Sequence, residues 1–124
     1  MNLIDLERCK LPVDIDPEWE IHPRDVHSAR QSGESVLLLD VRHEVEWEIA
    51  NIPGATLIPL GALPQRLTEL ESWRFKSVVV YCRTGVRSLR AAESLRNAGF
   101  TSVKSMAGGI ELWAEVIDPA VRWW

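Results

Sequence analysis

Two cysteines in 124 residues, Cys9 and Cys82, are too few for a disulfide framework, so a reducing compartment is expected. No apolar run approaches the roughly 18 residues needed to span a bilayer, which argues against a membrane protein. The N-terminal stretch MNLIDLERCKLP carries charges throughout and has no apolar centre. It does not read as a signal peptide, and a free-standing cytoplasmic protein is expected. There is no basic excess either. Fourteen Lys and Arg stand against 18 Asp and Glu, a formal net charge of −4, which gives no reason to expect nucleic-acid binding. His22, His27 and His43 have no paired spacing with Cys9 or Cys82 that resembles a ligand set, so no metal is expected. Repeats and low-complexity stretches are absent as well.

What is present is an ordinary globular composition, 46% hydrophobic and 26% charged. The length suits one domain that buries most of its apolar surface without staples. After a proline-punctuated lead-in over residues 1–20, with room for a short edge strand, strand and helix signals alternate. HPRDVHSARQSG has Pro23 where a helix can begin and Gly33 where it can end. SVLLLDV is an apolar run of strand length, as a parallel strand covered on both faces requires. HEVEWEIAN predicts a helical turn, Pro53-Gly54 punctuation, ATLIPL a brief strand, and LGALPQRLTELES a helix kinked or restarted near Pro64. SVVVYC is a second buried strand. Leu89, Ala92, Leu95 and Ala98 then recur near helical spacing up to Gly99, a natural stop. TSVKSM predicts the last strand, AGG a turn and IELWAEV a short helix. Alternation of this kind implies an α/β fold, a parallel sheet with helices on both faces. Active sites in such sheets gather beyond the carboxyl ends of the strands, and Cys82 sits at such an end.

A lone free cysteine is more often a small buried hydrophobe than a nucleophile. The neighbours of Cys82 in VVVYCRTGVRS favour the nucleophile. The segment after it lies between a strand end and a helix start, so its backbone N–H groups can converge on one point with the helix dipole behind them. Gly85 permits the backbone conformations of a tight cradle. Arg83 and Arg87 add positive charge, unless either forms a surface ion pair. Thiols in such places ionise more readily than in water, and the thiolate is the nucleophile.

At this point the chain resembles the single-domain rhodanese family, sulfurtransferases that carry sulfur as a cysteine persulfide. LLLDVR (Leu37 to Arg42) is similar to the family's strand ending in Asp-Val-Arg. EWEIANIPGA (Glu46 to Ala55) is similar to its Glu-aromatic-x-x-Gly-His-Ile-Pro-Gly-Ala stretch, VVVYCRTGVRS to its active-site loop, and GGIELW (Gly108 to Trp113) to its Gly-Gly-x-x-x-Trp ending. Four segments in the right order are strong together. Ala50-Asn51 departs from the usual Gly-His, and His43 stands where an acidic residue commonly follows the arginine. WAEVIDPAVRWW also looks like the tail of rhodanese domains fused to ubiquitin-like-protein-activating enzymes, which hints at delivery to a sulfur carrier.

The resemblance implies a three-layer rhodanese-like fold with a mostly parallel sheet of about five strands, over residues 21–117, followed by an aromatic tail over 118–124. It implies that Cys82 is the nucleophile, taking sulfane sulfur from a small anionic donor such as thiosulfate or from a protein persulfide. Cyanide, a thiol or a sulfur-carrier protein would accept it, with no cofactor. Backbone N–H groups from Arg83, Thr84, Gly85, Val86, Arg87 and Ser88 would stabilise the persulfide. Arg87 is the better placed of the two arginines for direct contact with an anionic donor. Thr84 and Ser88 offer side-chain hydrogen bonds, although Ser88 could equally start the helix. Asp40 and Arg42 either support the pocket or form an internal ion pair. Trp47 and Trp113 read as core or pocket-wall aromatics, Cys9 as a resolving thiol or incidental, and Trp123-Trp124 as packed on the domain or a partner. Two rivals stand beside this reading. A cysteine phosphatase or arsenate reductase needs a wider loop, with arginine at the position of Ser88. A non-catalytic docking module of the same fold commonly lacks the cysteine.

Overall fold

A computed structural model describes residues 15–122. The expectations for Cys9 and for Trp123-Trp124 lie outside these residues. Five strands, β1 (Glu20–Ile21), β2 (Val36–Asp40), β3 (Thr56–Leu57), β4 (Ser77–Tyr81) and β5 (Ser102–Met106), form one sheet in the order β1-β5-β4-β2-β3. All four pairings are parallel. The central strand β4 and its neighbour β2 are the apolar runs SVVVY and VLLLD, and they pair from Val36–Ser77 to Asp40–Tyr81. A central parallel strand is covered on both faces, which is why neither run alternates with polar residues.

Side chains of a strand alternate between faces, and the packing follows that period. Leu37, Leu39 and Val41, with Val78, Val80 and Cys82, pack against Ala91, Ala92 and Leu95 of α4 (Val86–Asn97) and against Leu63 and Leu70. On the other face, Leu38, Val79, Tyr81 and Met106 pack against Val26 of α1 (Pro23–Gln31) and Ile110, Trp113 and Ala114 of α5 (Gly109–Val116). The result is three layers, with helices on both faces. Trp113 is core, whereas Trp47, on α2 (Glu44–Ile49), is only half-buried.

Most predicted elements stand where the pattern put them. Helix α1 starts at Pro23 with the His22 ring accepting from the Arg24 amide at 3.1 Å. Helix α4 ends just before Gly99, whose φ of +96° is the left-handed stop that glycine takes without strain. The stretch LGALPQRLTELES is a difference. It restarts near Pro64 as expected, but in three pieces: a 3₁₀ turn (Leu60–Ala62), a single α turn, α3 (Leu63–Arg66), and a second 3₁₀ segment (Leu67–Trp73). Pro64 has no N–H and fits only a first turn, so the α turn begins anew there instead of continuing the preceding one. Among the described residues no helix is long and apolar enough to cross a membrane. No group of three or more His, Cys, Asp or Glu that could hold a metal is found among them.

Candidate active site

Period two carries Cys82 to the α4 side of the sheet, one residue beyond β4. The residue is only 1% exposed, but its sulfur does not lie against hydrocarbon alone. The Gly85 amide donates to Sγ at 3.1 Å and the Ser88 amide at 3.4 Å. The Ser88 hydroxyl lies 3.4 Å from the same atom. That hydroxyl also shares a 2.7 Å hydrogen bond with the Ser105 hydroxyl of β5, and both serines are fully buried. Gly85, with φ of +107°, is the residue preceding α4, so the sulfur meets the unsatisfied amides at the head of a twelve-residue helix. A side chain at that φ would be strained.

A second helix closes on the loop from the opposite direction. At the start of α5 the amides of Ile110 and Glu111 donate to the carbonyls of Cys82 and Arg83 at 2.9 and 3.1 Å. Gly108 and Gly109 take φ of +71° and +59°, and a methyl group on Gly109 would lie 2.3–2.5 Å from backbone atoms of Cys82 and Arg83. Only glycine lets the two backbones come this close. The carbonyls thus face α5 while the amides face the sulfur.

Both loop arginines are paired with carboxylates. Arg83 Nε lies 2.6 Å from Glu111 Oε2. Arg87 grips Glu46 of α2 with two prongs, Nη1–Oε1 at 2.7 Å and Nη2–Oε2 at 3.1 Å. The hydrogen bond from Arg87 is the main reason that the Glu46 carboxyl is held down to about 2, and the Arg87 guanidinium is shifted up in turn. Glu46 Oε1 also accepts from the His43 amide at 3.0 Å, which closes the first turn of α2.

The remaining expected residues sort themselves by geometry. Thr84 is exposed, and Val86, the first residue of α4, is 63% exposed. Asp40 and Arg42 form a fully buried pair with Nη2–Oδ2 at 2.8 Å, and the Arg42 guanidinium lies over the Tyr81 ring. Tyr81 belongs to the face opposite Cys82, so the pair is internal and ties β2 to the Ala50 carbonyl, 2.7 Å from Arg42 Nη2. Ala50 has φ of −160°, extended backbone that needs no glycine, so its departure from Gly costs nothing locally. A groove of about 490 Å³ lined by His27, Arg30, Pro53 and Trp113 contains no residue of the cysteine loop. Sequence reasoning missed Ser105, the pairing roles of Glu46 and Glu111, and the α5 amides. The only signals were that Glu46 and Glu111 fall inside motifs already singled out and that Ser105 is a polar residue in a strand.

This site, on this fold, defines a class. The rhodanese-like domain family model matches residues 22–116, and the chain belongs to that family. Among particular relatives, it is 37% identical over 99 residues to the probable adenylyltransferase/sulfurtransferase MoeZ of Mycobacterium tuberculosis, covering 80% of this chain and 25% of that protein. It therefore spans about a quarter of the length of that relative. A sulfurtransferase of Allochromatium vinosum is 36% identical over 95 residues, 77% of this chain and 87% of that one. Among solved structures, the human single-domain sulfurtransferase TSTD1 superposes with a TM-score of 0.68 at 28% identity, over 78% of this chain and 96% of that one.

Proposed function

We propose that this chain moves sulfane sulfur from thiosulfate or a protein persulfide to a thiol acceptor or cyanide through a persulfide on Cys82. The observation that carries the reading is the set of polar groups on one sulfur: two helix-head amides that donate to it and a buried hydroxyl 3.4 Å away. Preorganised donors of this kind stabilise negative charge where it develops, and the atom they meet carries that charge in the Cys82 thiolate that attacks and later returns.

In the first displacement the Cys82 thiolate attacks the outer sulfur of the donor. A new S–S bond forms, the donor's S–S bond breaks, and its electron pair leaves with sulfite or with the donor thiolate. In the second, an acceptor thiolate or cyanide takes the outer sulfur and the Cys82 thiolate returns. Charge and atoms balance in both steps, and ping-pong kinetics follow. The Gly85 and Ser88 amides hold the Cys82 sulfur as a thiolate, and the Ser88 hydroxyl, linked to Ser105, completes its shell. The sulfurtransferase names of the relatives support the same chemistry, and a sulfur-carrier protein is the partner that the adenylyltransferase/sulfurtransferase relative suggests.

The test is intact mass after incubation with thiosulfate or cysteine persulfide. One added sulfur atom, located on Cys82 by peptide mapping, is expected. In Cys82→Ser the addition and the turnover should both vanish while the circular dichroism spectrum is kept. Turnover by the serine variant at the parent's rate would remove the mechanism.

A further inference from the structure

We propose that Glu46 is a specificity-determining residue: it neutralises Arg87 in a two-pronged ion pair and so turns the mouth over Cys82 away from small dianions such as thiosulfate, toward persulfides carried on a thiol. The proposal deepens the reading above and rests on it.

Four observations carry it. The guanidinium fork of Arg87, whose planar geometry would suit a sulfonate, is already occupied by both oxygens of Glu46 at 2.7 and 3.1 Å. The carboxylate is independently fixed by the His43 amide, so it does not drift away when a donor arrives. The other loop arginine, Arg83, faces Glu111, so the two cations are matched by two carboxylates. Finally, Val45 and Val86, the chain neighbours of the paired residues, are 66% and 63% exposed and bring no charge of their own. Glu46 is only 15% exposed, so solvent screens it incompletely. A dianion that approaches Arg87 must displace this carboxylate or lie beside it, and either is unfavourable.

The two donors differ in the charge they bring. Thiosulfate, a dianion, gives its outer sulfur to the Cys82 thiolate and leaves as sulfite, also a dianion. A persulfide brings one negative sulfur and leaves as one thiolate. The carboxylate of Glu46 opposes the first more than the second.

The experiment compares thiosulfate with cysteine persulfide as donors to the full chain, with cyanide as acceptor. In Glu46→Gln, an isostere that keeps an oxygen for the His43 amide, the kcat/KM ratio of thiosulfate over cysteine persulfide should rise about tenfold, the effect of one unit charge at close range in a partly screened site. The rise should come through the thiosulfate KM, and the double variant Glu46→Gln/Arg87→Ala should abolish it. A folded Glu46→Gln with an unchanged or lower ratio overturns the proposal. A readout independent of any variant is salt: the parent's thiosulfate KM should change little between about 50 and 500 mM NaCl, whereas a steep rise would reveal a positive mouth and overturn it. If neither donor adds sulfur to Cys82, the sulfurtransferase reading fails and this proposal fails with it. If both donors load Cys82 and the ratio does not move, only the role of Glu46 is lost.

Discussion

Replacing Gly109 by alanine adds one methyl group at the point where α5 meets the cysteine loop. The residue has φ of +59°, and an added Cβ would lie 2.3 Å from the Arg83 carbonyl oxygen and 2.4 Å from that of Cys82. Both obstacles are backbone and neither can rotate away. To reach an ordinary contact distance the start of α5 must retreat by about 1 Å, which takes the Ile110–Cys82 and Glu111–Arg83 hydrogen bonds out of range. Each such bond contributes roughly 1 kcal/mol net. The left-handed conformation costs a residue with a side chain about 1–2 kcal/mol more. Together the loss is about 3–4 kcal/mol, a large part of the roughly 5–15 kcal/mol that holds a domain folded. With a urea m value of about 1–3 kcal/mol/M, the midpoint should fall by about 2 M. Gly61 is the control. It has no positive φ and nothing within 4 Å of its would-be Cβ, so Gly61→Ala should stay within about 0.5 kcal/mol of the parent. Urea denaturation followed by tryptophan fluorescence measures both. A Gly109→Ala midpoint within about 0.5 M of the parent would refute the claim that the close approach of these two backbones organises the site.

Two further outcomes follow from the buried charges. Asp40→Ala leaves Arg42 fully buried with the Ala50 carbonyl as its remaining side-chain partner, and should cost about 3–5 kcal/mol in urea denaturation; a loss below about 1 kcal/mol would show that the pair is dispensable. The Glu46 carboxyl is lowered from 4.5 to about 2 in the folded chain. Its pairing therefore stabilises the protein fully above pH 4.5 and is lost as pH falls towards 2. Glu46→Gln should be less stable than the parent at neutral pH by on the order of 2–3 kcal/mol, discounted for partial exposure. The gap should close on acidification, and a gap that widened between neutral pH and pH 3 would contradict the assigned direction.

Local pattern alone set out much of this protein. The runs LLLD and VVVY are long enough for strands and too uniformly apolar to have a wet face, so a sheet covered on both sides follows from composition and period. Pro23 and Gly99 mark helix ends because their backbone restrictions act within one or two residues. The position of Cys82 between a strand end and a helix start is likewise readable, since both signals lie within eleven residues of VVVYCRTGVRS. The restart of LGALPQRLTELES near Pro64 was readable, but the 3₁₀ form of the pieces on either side was not, because a helical period survives a change in the ladder of hydrogen bonds.

Tertiary structure decided the charges and contacts around the sulfur. Arg87 and Glu46 are 41 positions apart, Arg83 and Glu111 28, and Ser88 and Ser105 17. Which of many acids and serines meet these residues depends on the strand order, which sets β4 between β2 and β5 and brings α2, β5 and α5 to one strand end. The alternation along β2, by contrast, is local, and it sends Asp40 and Arg42 to the face away from Cys82. Periodicity reports which side of an element is buried, a property of a few neighbouring residues. Pairing across crossovers is a property of the folded arrangement, and the sequence carries it only through the structure it forms.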